Sequence, residues 1–364
     1  MFQTVAFDEV VWAVALLVFV RLLGDGERRL WLVLGLVVGV GLETKFTIAA
    51  LPVAMFLGLL VTQRRAMLLT PWPWLGAALA VLIFLPNLAW QATHSWISVQ
   101  YTLSHRGHTD GPVAYWLQQL LTFNPLFLVP GISGTAALRK DPRFSQLLYT
   151  AILVEVLFFA VGGKSYYPAP IFPALYAAGA IWLDKQLKSA APIAAYATAA
   201  VALVLVLLPL ALPVLPAQTM ISLNLWQARK DYADMIGWPE LVSATLAAYD
   251  SVPADQRSGT IILAQNYGEA GAIDYYGSAL GLPQAESPHL TFWYWAPQRM
   301  DPSTVVLVGF SQDFANRYFA QCRDAATITN NLGIHNEEYG GLVLVCTQPR
   351  QPLWSVWPSI QTLD

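Results

Sequence analysis

Charge is what this sequence has least of. Of its 364 residues only 12% are Asp, Glu, Lys or Arg, about half the roughly 25% of an average soluble domain, which excludes an ordinary soluble protein. The net charge is −3 and no basic face stands out, so a nucleic-acid partner is a poor fit. Absent too are a Walker A loop, a Gly-x-Ser-x-Gly elbow and a dinucleotide fingerprint. Support for ATP-driven transport, serine hydrolysis and hydride transfer falls away with them. No charged segment, short apolar stretch and small-residue cleavage site opens the chain, so the first helix is expected to stay in the membrane. There are two cysteines, Cys322 and Cys346, both late in the chain.

What is there is apolar: 56% of the residues are hydrophobic, concentrated before Pro216. Apolar stretches run Val10 to Leu23, Leu30 to Leu42, Phe46 to Val61, Trp74 to Trp90, Ala114 to Leu138, Phe144 to Val161, Ala169 to Leu183 and Ala191 to Leu215. Several fall short of the roughly 20 residues that cross a bilayer squarely, and the second and third can also be read as one re-entrant pair. The expected fold is a polytopic α-helical membrane domain of about eight helices over residues 1–215, followed by a small periplasmic α/β domain over residues 216–364.

Lys and Arg gather on the cytoplasmic side of short loops. One alternate set of loops holds nine positive charges, Arg28, Arg29, Arg64, Arg65, Arg139, Lys140, Arg143, Lys185 and Lys188; the other holds three, Lys45, Arg106 and Lys164. The first set is therefore taken as cytoplasmic, which sends everything after Pro216 to the outer side. Met1 to Glu9 would then lie outside with no preceding helix to carry them. Either this is a short translocated tail, or the chain starts late.

The outer side carries the unusual polar residues. Asp8 and Glu9 read either as acids welcomed at a helix N-terminus or as a pair of which one faces a cavity. Lys45 and Lys164 lie on the side that disfavours cations. They either snorkel to the interface or hold an anionic group such as a lipid phosphate at bilayer depth. In Gly162-Gly163-Lys164-Ser165-Tyr166-Tyr167-Pro168-Ala169-Pro170 two glycines break one helix and two prolines open the next, with two phenols beside a lysine between them. Glu155, inside the sixth stretch, is expected to be protonated or hydrogen-bonded within the bundle. His94, His105 and His108 follow no common zinc spacing, and neither a metal nor another cofactor is expected.

After Gln218 helical and strand signals alternate. Ala233 to Tyr249 and Ser311 to Cys322 have helical spacing, whereas Thr260 to Ala264, Thr304 to Gly309 and Leu342 to Cys346 are β-rich, which fits a small α/β layer. Asn266-Tyr267-Gly268-Glu269 follows the first strand, where such folds often carry functional loops, although a plain helix start explains it as well. With Cys322 ending a helix and Cys346 ending a strand, packing of the two elements would allow a disulfide in an oxidising compartment; two buried free thiols are the alternative.

Several motifs occur in an order along the chain that resembles the family 39 glycosyltransferases, the relatives of dolichyl-phosphate-mannose protein mannosyltransferases and aminoarabinose transferases with the GT-C membrane fold. They are Phe7-Asp8-Glu9, Gly39-Val40-Gly41-Leu42-Glu43-Thr44-Lys45, Phe84-Leu85-Pro86-Asn87-Leu88-Ala89-Trp90-Gln91 and the Gly163 to Pro170 run. Trp238-Pro239-Glu240 and Asn266 to Asp274 resemble the periplasmic domain of bacterial members. The resemblance implies a polyprenyl-phosphate sugar donor, a lipid, protein or glycan acceptor entering from outside, surrounding membrane lipids, and residence in a bacterial inner membrane. It places Lys45, Lys164, Tyr166 and Tyr167 at the donor phosphate and Asp8 at the family's second acidic position. The family's main catalytic aspartate sits in a loop after a preceding helix, which this sequence does not show, so a start inside the full protein is expected. A transporter or flippase using Glu155, and a non-catalytic envelope scaffold, are the competing functions.

Overall fold

The computed structural model describes residues 4–24, 26–104, 111–122, 124–187, 189–296 and 301–363. Of the residues weighed above, His105, Arg106, His108 and Lys188 lie outside these. The chain divides into two compact units, Met1–Val206 and Leu207–Asp364.

The first unit is helical: α1 (Thr4–Gly24), α2 (Leu30–Thr44), α3 (Ala50–Leu60), α4 (Pro71–Thr93), α5 (Ile97–Ser104), α6 (Pro112–Thr122), α7 (Leu128–Lys140), α8 (Ser145–Ala160) and α9 (Phe172–Gln186). A further helix, α10 (Ala190–Ala211), runs across the division between the units. Trp12, Phe19, Ile48, Leu51 and Leu59 are wholly buried, whereas Leu69 is 87% and Val113 80% exposed. Side chains of that kind on the outside need lipid, not water, as solvent. Lipid gives apolar helices no reason to associate, so close backbone approach and buried polar groups have to hold them together. A Cβ on Gly35 would run into the Gly76 carbonyl, and one on Gly179 into the Pro130 carbonyl, so α2 meets α4, and α7 meets α9, backbone to backbone. Between α3 and α8 the buried Gln146 amide donates to the Met55 carbonyl at 3.2 Å and accepts the Thr62 hydroxyl at 3.0 Å.

Of the described helices, α4 and α10 are long and apolar enough to cross a membrane, with up to four crossings if each of two bent pairs counts as one. The eight expected stretches are thus divided differently. The helices α2 and α8 have only 15 and 16 residues. The stretch from Ala114 to Leu138 bends by 99° between its two halves. There Pro125 cannot continue a helical hydrogen-bond ladder, and the Asn124 side chain accepts the Leu126 N–H at 3.0 Å to start the next turn.

The second unit holds a sheet of β1 (Thr260–Ala264), β2 (Ala285–Glu286), β3 (Thr304–Val308), β4 (Phe319–Thr327) and β5 (Leu342–Pro349) in the order β2-β1-β3-β5-β4. β1 runs parallel to β2 and β3, and β5 is antiparallel to β3 and β4. Alternate residues serve opposite faces, as strand geometry dictates. Ile262, Val306 and Val345 join Leu241 and Val242 of the helix Trp238–Asp250, whereas Leu263, Leu307 and Leu344 join Phe319, Leu353 and Trp357. Where α10 ends, Arg229 donates to the Ala211 carbonyl at 2.8 Å and the Tyr232 hydroxyl to the Pro209 carbonyl at 3.0 Å, which satisfies carbonyls the helix leaves open.

Three strands were expected and five are present among the described residues. The helix expected from Ser311 to Cys322 stops at Tyr318, and the residues after it form β4, pairing along β5. Cys322 is therefore on an edge strand rather than at a helix end. It stands directly opposite Cys346 in the register, and the two are joined in a disulfide with Cα atoms 4.1 Å apart.

Candidate functional site

Asp8 sits in the second turn of α1 and is 4% exposed. A carboxylate so placed needs donors. Trp12, one turn on and fully buried, donates its indole N–H to Oδ1 at 3.1 Å. Oδ2 accepts the Thr47 hydroxyl at 2.9 Å and lies 3.7 Å from the Lys45 ammonium. Lys45 follows the last residue of α2 in an extended conformation, with its N–H bonded to the Gly41 carbonyl at 2.8 Å. Thr47 lies on the tight turn Phe46–Ala49 that follows. The break between α2 and α3 thus places a cation and a hydroxyl on the same carboxylate.

The lysine also faces aromatic rings. Its Nζ is 5.0 Å from the Tyr167 centroid and 5.7 Å from that of Tyr166, within cation–π range. The two rings meet edge to face at 5.1 Å, and Tyr167 packs on Phe158 at 5.5 Å. A Cβ on Gly163 would come within 3.1 Å of the Tyr167 ring and 3.2 Å of the Phe158 carbonyl, so a bare backbone suits this turn. Ser165 ties the same turn to α6, donating to the Gln118 side chain at 2.9 Å.

Asp8, Lys45, Tyr166 and Tyr167 therefore come together from three separate parts of the sequence. Lys164 does not join them: it is exposed, and no ion pair among the described residues involves it. Glu9, next to Asp8, is exposed. The residues missed by sequence reasoning are Trp12 and Thr47. Trp12 had a signal, since it lies one helical turn from Asp8; Thr47 had only its nearness to Lys45. Elsewhere in the unit, Glu155 Oε2 accepts Gln119 at 3.1 Å and the Tyr115 hydroxyl at 3.5 Å, while its Oε1 is buried without a partner among the described residues. No group of three His, Cys, Asp or Glu able to hold a metal occurs among the described residues.

In the second unit, Asn266 and Glu269 form a reciprocal cap at the start of the helix Tyr267–Ala272. Glu269 Oε2 accepts the N–H groups of Gln265 at 2.8 Å and Asn266 at 3.2 Å. Burial nonetheless pushes its carboxyl up to about 7, against the lowering effect of those two bonds.

The geometry defines a membrane protein with a charged and aromatic cluster where two helices break. Residues 1–90 match the family model of dolichyl-phosphate-mannose-protein mannosyltransferases. This is the family that the motifs resemble, and it is one of membrane glycosyltransferases of GT-C type. No curated protein matches the chain. No solved structure matches it either.

Proposed function

We propose that this protein transfers a sugar from a polyprenyl-phosphate donor to an acceptor at the outer face of the inner membrane, with residues 216–364 on that same side. The observation that carries the reading is the meeting of Lys45, Tyr166 and Tyr167 over Asp8. In such a transfer the bond between the anomeric carbon and the phosphate oxygen breaks, its electron pair leaving with the lipid phosphate. The bond to the acceptor oxygen forms as that oxygen loses its proton to a base. Lys45 and the two phenols supply a cation and two donors for the phosphate as its charge grows, a role that needs no nucleotide loop.

Asp8 has both oxygens engaged and is buried. We assign it to holding Lys45 in place rather than to taking the acceptor's proton. Lys164, exposed on the same turn as the tyrosines, reaches the phosphate only once donor is bound. Asp8 and Lys45 both lie within residues 1–90, the part of the chain that matches the family model.

The test is transfer of labelled sugar from a polyprenyl-phosphate donor by the full chain in proteoliposomes. Lys45→Ala and Tyr167→Phe are expected to reduce transfer while the protein still purifies folded. Wild-type rates in both would remove the donor-site assignment. A reporter fused after Pro216 is expected to be active only outside the cytoplasm, and a cytoplasmic signal there would overturn the orientation.

A further inference from the structure

In α/β sheets, ligands settle outside the carboxyl ends of the strands where successive connections leave in opposite directions. The second unit has such a point. From β1 the chain passes to β2 on one side, and from β3 it passes towards β4 on the other. Outside the ends of β1 and β3 lies a cavity of about 420 Å³, within the roughly 300–1,000 Å³ range of small-molecule pockets. Neither the motifs nor the proposed transfer uses it.

Its lining states what it accepts. Gln265 follows β1, and Gly309, Phe310 and Ser311 follow β3; Phe314 and Thr362 join them, and the rest of the wall is apolar side chains and glycine backbone. Phe310 and Phe314 stack at 4.2 Å as the apolar side. The polar groups are an amide, two hydroxyls and backbone, and among the described residues no Asp, Glu, Lys or Arg lines the cavity. A phosphate or carboxylate would enter without a counter-charge, and an ammonium without a carboxylate. A hydrocarbon would give nothing to the Gln265 amide or the Thr362 hydroxyl, and would leave Ser311 with only the Phe314 N–H that it accepts at 3.2 Å. A neutral ring with hydroxyls on its rim and C–H groups on its faces matches both sides of the wall.

The two loops are also fixed relative to each other. Gly309 has φ +79°, and the Glu269 carboxylate occupies the space a Cβ would need there. That same carboxylate holds the Gln265 and Asn266 N–H groups. With the Gln265 N–H also bonded to the Val308 carbonyl at 2.9 Å, this buried side chain helps fix the spacing between the strand ends that form the cavity.

We propose that this cavity is a binding site for an uncharged sugar residue. The proposal concerns the second unit alone and does not depend on the transferase reading. It is tested on the full chain in lipid nanodiscs by saturation-transfer NMR, with cellobiose and chitobiose as neutral probes and glucose 1-phosphate as the charged one. Wild type is expected to transfer saturation to at least one neutral sugar. Gln265→Ala should weaken it about tenfold, the effect of losing one well-placed hydrogen bond. Ser311→Trp, which fills the cavity, should abolish it, and exposed Asp313→Ala should leave it unchanged. Circular dichroism and thermal unfolding that match wild type establish that each variant is folded. The proposal is overturned if neither neutral sugar receives saturation, if Ser311→Trp binds as wild type does, or if glucose 1-phosphate binds better than both.

Discussion

Asp8 Oδ2 lies 3.7 Å from the Lys45 ammonium, and the same oxygen takes the Thr47 hydroxyl at 2.9 Å. Removing one partner of a buried pair leaves the other uncompensated, whereas removing both charges together costs less. Asp8→Ala is therefore expected to lower the unfolding temperature in detergent more than Asp8→Asn does. The double variant Asp8→Asn with Lys45→Met should recover part of the loss, with a coupling on the order of 1 kcal/mol. Strict additivity would show that the pair does not interact.

The approach of α2 to α4 rests on the absence of side chains at Gly35 and Gly76. Gly76→Val is expected to prevent recovery of folded protein after detergent extraction, because its first carbon meets the Trp31 carbonyl. Ala78→Val, on an exposed side of the same helix, should extract normally. Equal yields from the two would contradict backbone-to-backbone packing.

Glu269 and Glu286 are each pushed up to about 7 from an ordinary 4.5, chiefly by burial, and Asp274 and Glu338 are raised in the same sense. An acid whose pKa is higher folded than unfolded binds its proton more tightly in the native state. Stability is thus greatest below about pH 4.5 and falls as pH rises towards 7. For fully buried Glu269 the loss is on the order of 3 kcal/mol, and for half-buried Glu286 it is less. Thermal unfolding between pH 4.5 and 8 should show this decline, and Glu269→Gln should flatten part of it. An unchanged slope in that variant would assign the decline elsewhere.

The bond between Cys322 and Cys346 ties edge strand β4 to β5. Full-length protein denatured without reductant should offer no thiol to an alkylating reagent. Replacing both cysteines by serine should cost about 3 kcal/mol in the chain-entropy account of a loop this size. Two reactive thiols in the unreduced protein would contradict the bond.

Much of the membrane cluster was legible because its residues break local rules. Lys45 and Lys164 belong to the set of loops that carries three cations against nine in the other, and Tyr166 and Tyr167 stand between helix-breaking glycines and prolines. Sequence could not separate the two lysines, since only the fold decides that Lys45 meets Asp8 and Lys164 does not. Thr47 was invisible because its bond depends on α1 lying beside the turn. In the second unit, β1, β3 and β5 announced themselves as β-branched runs. β4 did not, because an edge strand with Gln321, Arg323 and Asp324 outward has no apolar alternation to display. The cavity at the strand ends draws on residues from Gln265 to Thr362, which no local pattern links.

The central claim is that Lys45, held by Asp8 and flanked by Tyr166 and Tyr167, receives a lipid phosphate. The most direct measurement is equilibrium binding of a polyprenyl phosphate to the purified full chain in nanodiscs, wild type against Lys45→Met, since binding needs no acceptor and no base. Loss of one charge-assisted contact should weaken binding about tenfold or more, with the uncharged polyprenol binding equally to both proteins. Equal affinity of both proteins for the phosphate would contradict the account.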